Sequence, residues 1–332
     1  MFEPLLATRA QKAFIGTLAF QAIVVLVMVA ITFKKVELDV PLRATPYKTI
    51  PCYLALFALA EVFEMFMAID ALRLRNVIQL FGILFFHLAL IVSAALQVHQ
   101  TRDAILDVNS TLLGYTVNCS NATDPHFLIN CDVPGSLWQS VLPFLVVTPC
   151  VIAAAWLVLL FWVKELYGEF GWAIFHVVGA NPKTKTMYQY YQVEICLLKF
   201  DFFFFIGVTM QLLIVVLATN SAEFGLTIAA IPIVLGLIVG AAMAVQREIK
   251  WLMSISLVVM LAAETYFIYK LVRFYEPSSQ QAYATTRATL TVFTIIAFLL
   301  LFGKMLFQCA RHTNIYMLFS NICGRSPLFQ RL

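Results

Sequence analysis

Long uncharged apolar runs constrain this chain more than any other feature. Ala13–Phe33 is 21 residues without a charge, and similar runs recur to the end of the sequence. A span of hydrocarbon about 30 Å thick needs about 20 such residues. Backbone groups in that medium must bond within their own segment or around a closed barrel. The runs lack the alternation of barrel strands, so helix is the required reading. Only 12% of the residues are charged, against about 25% in a soluble domain. The expected fold is therefore all-α: one polytopic membrane helix bundle over 1–332, with the lipid bilayer as its principal partner.

Eight spans are expected, near 13–33, 50–72, 76–98, 139–163, 195–219, 224–245, 250–272 and 288–308. The count falls to seven if one of the tight hairpins after the fifth and sixth is misread. The first run exceeds a signal-peptide core and reads as a retained anchor.

The polar interruption at 99–138 sets the orientation. It holds three glycosylation acceptors, Asn109, Asn118 and Asn121, each followed two residues later by Ser or Thr. It also holds Cys119 and Cys131. Glycans and disulfides belong to the lumenal or extracellular side. A Cys119–Cys131 disulfide would close a small loop there. With this loop lumenal, both termini are cytosolic, as are the 164–194 loop and the 309–332 tail. Basic residues then favour the cytosolic side. The first loop, with Lys34, Lys35, Arg43 and Lys48, runs against that trend. A receptor topology with an outer N-terminus would place the acceptor loop in the cytosol, and is excluded.

Cys52, Cys150 and Cys196 fall in or at the ends of spans, as small buried apolar groups. Cys309 and Cys323 are juxtamembrane candidates for S-acylation. No metal spacing, no cofactor motif, no catalytic constellation and no basic-aromatic nucleic-acid patch is present in the sequence. A non-enzymatic role is expected.

Ionisable groups at membrane depth mark candidate sites. Glu61 and Glu64 lie one turn apart in span two, His87 lies midway along span three, and Glu264 lies in span seven at a depth matching Glu61. If they converge, they form a proton or cation relay. If not, they hydrogen-bond between helices and lock the bundle. Asp70 is expected to pair with Arg73. Glu194, Lys199 and Asp201 are expected to reach the interface from the start of span five.

The second longest connection and the span after it carry Glu169-Phe-Gly171-Trp172, Gly179-Ala-Asn-Pro182, Tyr191-Gln192, and Leu198-Lys199-Phe-Asp201 followed by four phenylalanines, Ile206, Gly207 and Gln211. Gly179 with Asn181-Pro182 marks a turn. Its aromatics suggest a segment lying along the headgroup layer. This stretch resembles a fungal family of multi-pass Golgi apparatus membrane proteins catalogued as an uncharacterised protein family. The resemblance implies Golgi residence, with another secretory-pathway membrane or the plasma membrane as the alternative, and implies no activity or site residues.

Two functional expectations follow. One is a non-enzymatic membrane protein that engages trafficking or organising partners through 164–194. The other is a secondary transporter or proton-coupled carrier built on Glu61, Glu64, His87 and Glu264, with its small-molecule or ion substrate unspecified.

Overall fold

A computed structural model describes residues 6–40, 49–106, 127–178, 182–213, 250–276 and 287–323, with positions 119, 225, 232, 236 and 240 between them. Among the described residues the fold is all-helical. In chain order the helices are α1 (Arg9–Asp39), α2 (Thr49–Leu74), α3 (Val77–Leu106), the short α4 (Phe127–Asn130), α5 (Leu137–Val178), α6 (Pro182–Gln211), α7 (Lys250–Tyr275) and α8 (Arg287–Cys323). Five of them, α1, α2, α3, α5 and α8, contain stretches long and apolar enough to cross a membrane. The fifth expected span overlaps α6 as far as the described residues reach, and the seventh coincides with α7. Most of the sixth, 224–245, lies outside the described residues, as do Asn109, Asn118, Asn121 and Gly179.

Each boundary has a local cause. Thr8 caps α1, its hydroxyl accepting the Gln11 amide at 3.3 Å. This satisfies one of the donors that every helix start leaves open. α2 ends at Arg75, which adopts φ +50°. The amide of the next residue, Asn76, returns to the Ala71 carbonyl at 3.0 Å. Asn76 then caps α3 by accepting from the Gln79 amide at 3.1 Å. Two residues thus reverse the chain with its terminal polar groups paired. At the opposite end of α3, Asn130 of α4 donates to the Ile105 carbonyl at 2.8 Å. Cys131 beside it is bonded to Cys119, with Cα atoms 5.7 Å apart.

α5 packs against α1 and α3, α2 lies against α1 and α3, and α6 contacts α2 and α3 while also packing on α8. α7 packs on the far partner, α8. Large apolar side chains cover the outside, including Phe20, Phe85, Leu157 and Val258. Polar side chains such as Gln21, Glu64, Gln79 and His87 are buried within. Apolar outside and polar inside suits hydrocarbon as the surrounding medium. Cys52 and Cys196 are buried as expected, whereas Cys150 faces outward.

Several boundaries differ from expectation, among them the following two. α3 continues two turns into the 99–138 segment, to Leu106. α5 continues from the fourth span to Val178, through Lys164 and the Glu169 motif. Ile152, Ala155, Leu159, Val163, Leu166 and Phe170 explain the second: they recur every three or four residues, and all are buried. One apolar stripe therefore runs through the change from apolar to polar composition. At 1.5 Å per residue, the 42-residue α5 is about 63 Å long. The 164–194 connection is thus mostly two helix extensions rather than a segment lying flat on the headgroups. Pro143 and Pro149 fall within α5 without ending it.

Candidate functional site

Three of the four intramembrane groups come together. Glu61 and Glu64 share α2, and His87 faces them from α3. His87 Nδ1 lies 2.6 Å from Glu64 Oε1, and His87 Nε2 lies 3.0 Å from the Ile152 carbonyl of α5. Glu61 is held from α1, where Gln21 Nε2 donates to both its oxygens at 3.1 and 3.2 Å. All four side chains are at most 2% exposed. Four helices therefore meet at one polar point surrounded by apolar side chains.

A carbonyl oxygen only accepts, so Nε2 of His87 carries hydrogen. That assigns the ring. The short Nδ1–Oε1 contact then holds one further proton, on the imidazole or on the carboxyl. Either way, the Glu64–His87 pair carries no net charge. A second contact fixes the same helix pair: Trp156 Nε1 of α5 donates to the Leu84 carbonyl of α3 at 3.1 Å. Each helix thus donates to a carbonyl of the other, one turn apart.

Glu264 does not join this group. It is buried on α7, which packs against α8, and makes no hydrogen bond or ion pair with Glu61, Glu64 or His87 among the described residues. Depth along a helix axis matched it to Glu61; helix placement across the bundle separates them.

A second polar group lies further along α2. Asp70 pairs with Lys199 of α6 rather than with Arg73, which points outward. Gln79 of α3 completes it, donating to Asp70 at 3.0 Å and to the Met67 carbonyl at 2.9 Å, and accepting from Lys199 at 2.9 Å. Asp201, two residues beyond Lys199, lies 3.7 Å from Lys304 of α8. Asp201 and Lys304 are both buried. The expectation that Asp201 reaches the interface is corrected: Asp201 and Lys304 face each other between helices, where each offsets the other's burial. Glu194 is buried as well.

The motif residues are mostly packing and tethering positions. Glu169 accepts from Thr8 at 3.0 Å and from Gln11 at 2.5 Å, tying α5 to the start of α1. A carboxylate there also faces the positive end of the α1 dipole. Phe170 is fully buried, Trp172 is 69% exposed, and Gly171 has open space around it. Tyr191 is half-buried and Gln192 buried. Of the four consecutive phenylalanines, Phe202 faces outward while Phe203, Phe204 and Phe205 are buried. Phe203 stacks on Phe63 of α2 with ring centres 4.8 Å apart and meets Phe86 of α3 edge-on at 4.9 Å. Phe204 meets Phe293 of α8 at 5.5 Å. Gly207 makes that seam possible: a β-carbon there would lie 2.8 Å from the Phe293 ring. Gln211 is buried near the end of α6.

The neutral partners Gln21 and Gln79, and the Ile152 carbonyl, were not legible as site residues. A lone glutamine within an otherwise apolar span was the available signal.

No family model matches the chain, and no solved structure matches it. The chain is 27% identical over 275 residues to a UPF0658 Golgi apparatus membrane protein of Schizosaccharomyces pombe, an alignment covering 81% of this chain and 76% of that protein. The likeness first carried by Glu169–Gln211 thus extends along most of the sequence. Joined to the helices long and apolar enough to cross a membrane, this likeness supports the resemblance to a fungal family of multi-pass Golgi apparatus membrane proteins of uncharacterised biochemical role.

Proposed function

We propose that the protein is a non-enzymatic Golgi membrane protein that engages organising or trafficking partners through the cytosolic extensions of α5 and α6. One observation carries this reading. α5 outruns a hydrocarbon core of about 30 Å by roughly half its length, and Glu169 holds the extension against Thr8 and Gln11. Leu166 and Phe170 face the bundle from that extension, while Tyr167 and Trp172 are exposed. Large aromatics held on a rigid helix are the side chains that most often anchor a protein interface. The test is proximity labelling in intact cells with full-length protein and its Tyr167→Ala/Trp172→Ala variant. The variant keeps Golgi residence and loses a defined set of labelled neighbours. An unchanged set of neighbours contradicts the reading.

A second reading is a proton-coupled carrier, favoured by the convergence of Glu61, Glu64 and His87 inside the membrane. Intramembrane carboxylates and histidines commonly form proton relays. Glu264 has no part in this version. Proton flux into vesicles reconstituted with the protein tests it, and flux no greater than in empty vesicles rejects it.

A further inference from the structure

The buried group of Glu61, Glu64, His87 and Gln21 poses a problem of charge balance. Glu64 and His87 are net neutral together, as their hydrogen bonds require. The charge of the whole group therefore equals the charge on Glu61. Among the described residues no cation is bonded to this group. α1 contributes Gln21 and has no ionisable residue between 13 and 33. α5 contributes a backbone carbonyl. On α6, Lys199 is engaged with Asp70, and Asp201 faces Lys304 of α8. A lone carboxylate among apolar side chains is costly to keep ionised.

The polar atoms left over point to how the charge is removed. Glu64 Oε2 and Gln21 Oε1 are buried acceptors without a hydrogen-bond partner. Gln21 Oε1 belongs to the same amide whose nitrogen meets Glu61. Turning that amide over brings its oxygen to the Glu61 carboxyl, where it accepts a hydrogen bond from a protonated oxygen. One amide thus serves both states: its N–H₂ donates to the ionised carboxylate, and its oxygen accepts from the acid.

We infer that Glu61 is an intramembrane proton-binding site, loading and releasing one proton against the Gln21 amide while Glu64 and His87 share another and stay neutral. Loading forms one O–H bond on Glu61 and breaks one in a hydronium ion, leaving water; release is the reverse, and nothing is oxidised or reduced. The glutamates thus have different tasks: Glu64 fixes the imidazole, and Glu61 exchanges. The existence of the site is independent of the partner-binding reading. Only its use in transport rests on the carrier reading, which vesicle flux tests separately.

Infrared difference spectroscopy of the full-length protein in lipid nanodiscs, titrated with pH, tests the inference. Wild-type protein gives a pH-dependent protonated-carboxyl band with a component that Glu61→Gln removes and Glu264→Gln retains. A band unchanged by Glu61→Gln in folded protein overturns the assignment. If Glu61→Gln does not fold, Gln21→Leu supplies the answer. It removes a hydrogen bond that is stronger to the charged form, so the midpoint of the Glu61 component moves to higher pH. An unmoved midpoint overturns the assignment. The titration is repeated with sodium in place of choline. An equal midpoint supports a proton site, and a midpoint lowered by sodium assigns the oxygens to an alkali cation instead.

Discussion

Lys199 and Asp201 lie two residues apart on α6 and close ion pairs on opposite sides of it, Lys199 with Asp70 of α2 and Asp201 with Lys304 of α8. Two residues turn a helix by about 200°, so the short Lys-x-Asp sequence reaches two neighbours at once. α6 is thereby fixed between the α1–α2–α3–α5 group and α8. The phenylalanines that follow fill the space between the same helices.

The buried pair gives a prediction with an internal control. Removing one member of a buried ion pair costs roughly 3–5 kcal/mol, whereas replacing both with apolar groups can cost little. Asp201→Leu and Lys304→Met are each expected to lower thermal stability in detergent strongly. The double variant is expected to recover much of the loss. Additive losses in the double variant contradict the pairing.

Gly207 is expected to resist even a methyl group. A β-carbon 2.8 Å from the Phe293 ring forces the α6–α8 seam apart. Such overpacking typically costs about 1–3 kcal/mol. Phe293→Leu in the Gly207→Ala background makes room and is expected to restore part of the stability. A Gly207→Ala protein with unchanged melting temperature would refute the close approach.

The carboxylates in the membrane are not equivalent. Glu64→Ala leaves His87 Nδ1 buried without its partner, and an unpaired buried group costs about 1–3 kcal/mol or more. Glu264 has no such partner among the described residues and packs at the α7–α8 side. Glu64→Ala is therefore expected to destabilise more than Glu264→Ala. Equal losses by thermal unfolding in one detergent would count against this ranking.

Cys119 and Cys131 are expected to react with a maleimide only after reduction, because they are bonded to each other. We also expect glycans on the same segment. Enzymatic deglycosylation should increase gel mobility, and replacing Asn109, Asn118 and Asn121 together by Gln should abolish the increase. Maleimide labelling of Cys119 or Cys131 before reduction would contradict the first expectation, and unchanged mobility the second.

Much of the architecture was legible because hydrocarbon permits few solutions. Apolar length located α1, α2, α3, α5 and α8, even where α2 and α8 carry charged residues. Glu61, Glu64 and His87 were legible because charge at membrane depth is costly and must have a reason. Sequence position gives depth but not the direction a side chain faces across the bundle, so Glu264 was grouped with Glu61 and lies elsewhere. The partners of Asp70 and Asp201 were obscured for the same reason: they come from helices 129 and 103 residues away. The Lys164 charge suggested an end to the fourth span. The apolar stripe from Ile152 to Phe170 was the better guide, because one packed face sustains a helix whatever the opposite face meets.

The continuity of α5 has a mechanical consequence. A loop between membrane and cytosol would absorb small movements of the bundle, whereas an unbroken helix of about 63 Å transmits them. Its membrane-embedded part is gripped by His87 at Ile152 and by Trp156, and its far part by the start of α1 through Glu169. Because both grips hold the same unbroken helix, a tilt of α5 beside the carboxylate–imidazole pair cannot occur without moving the start of α1 with it.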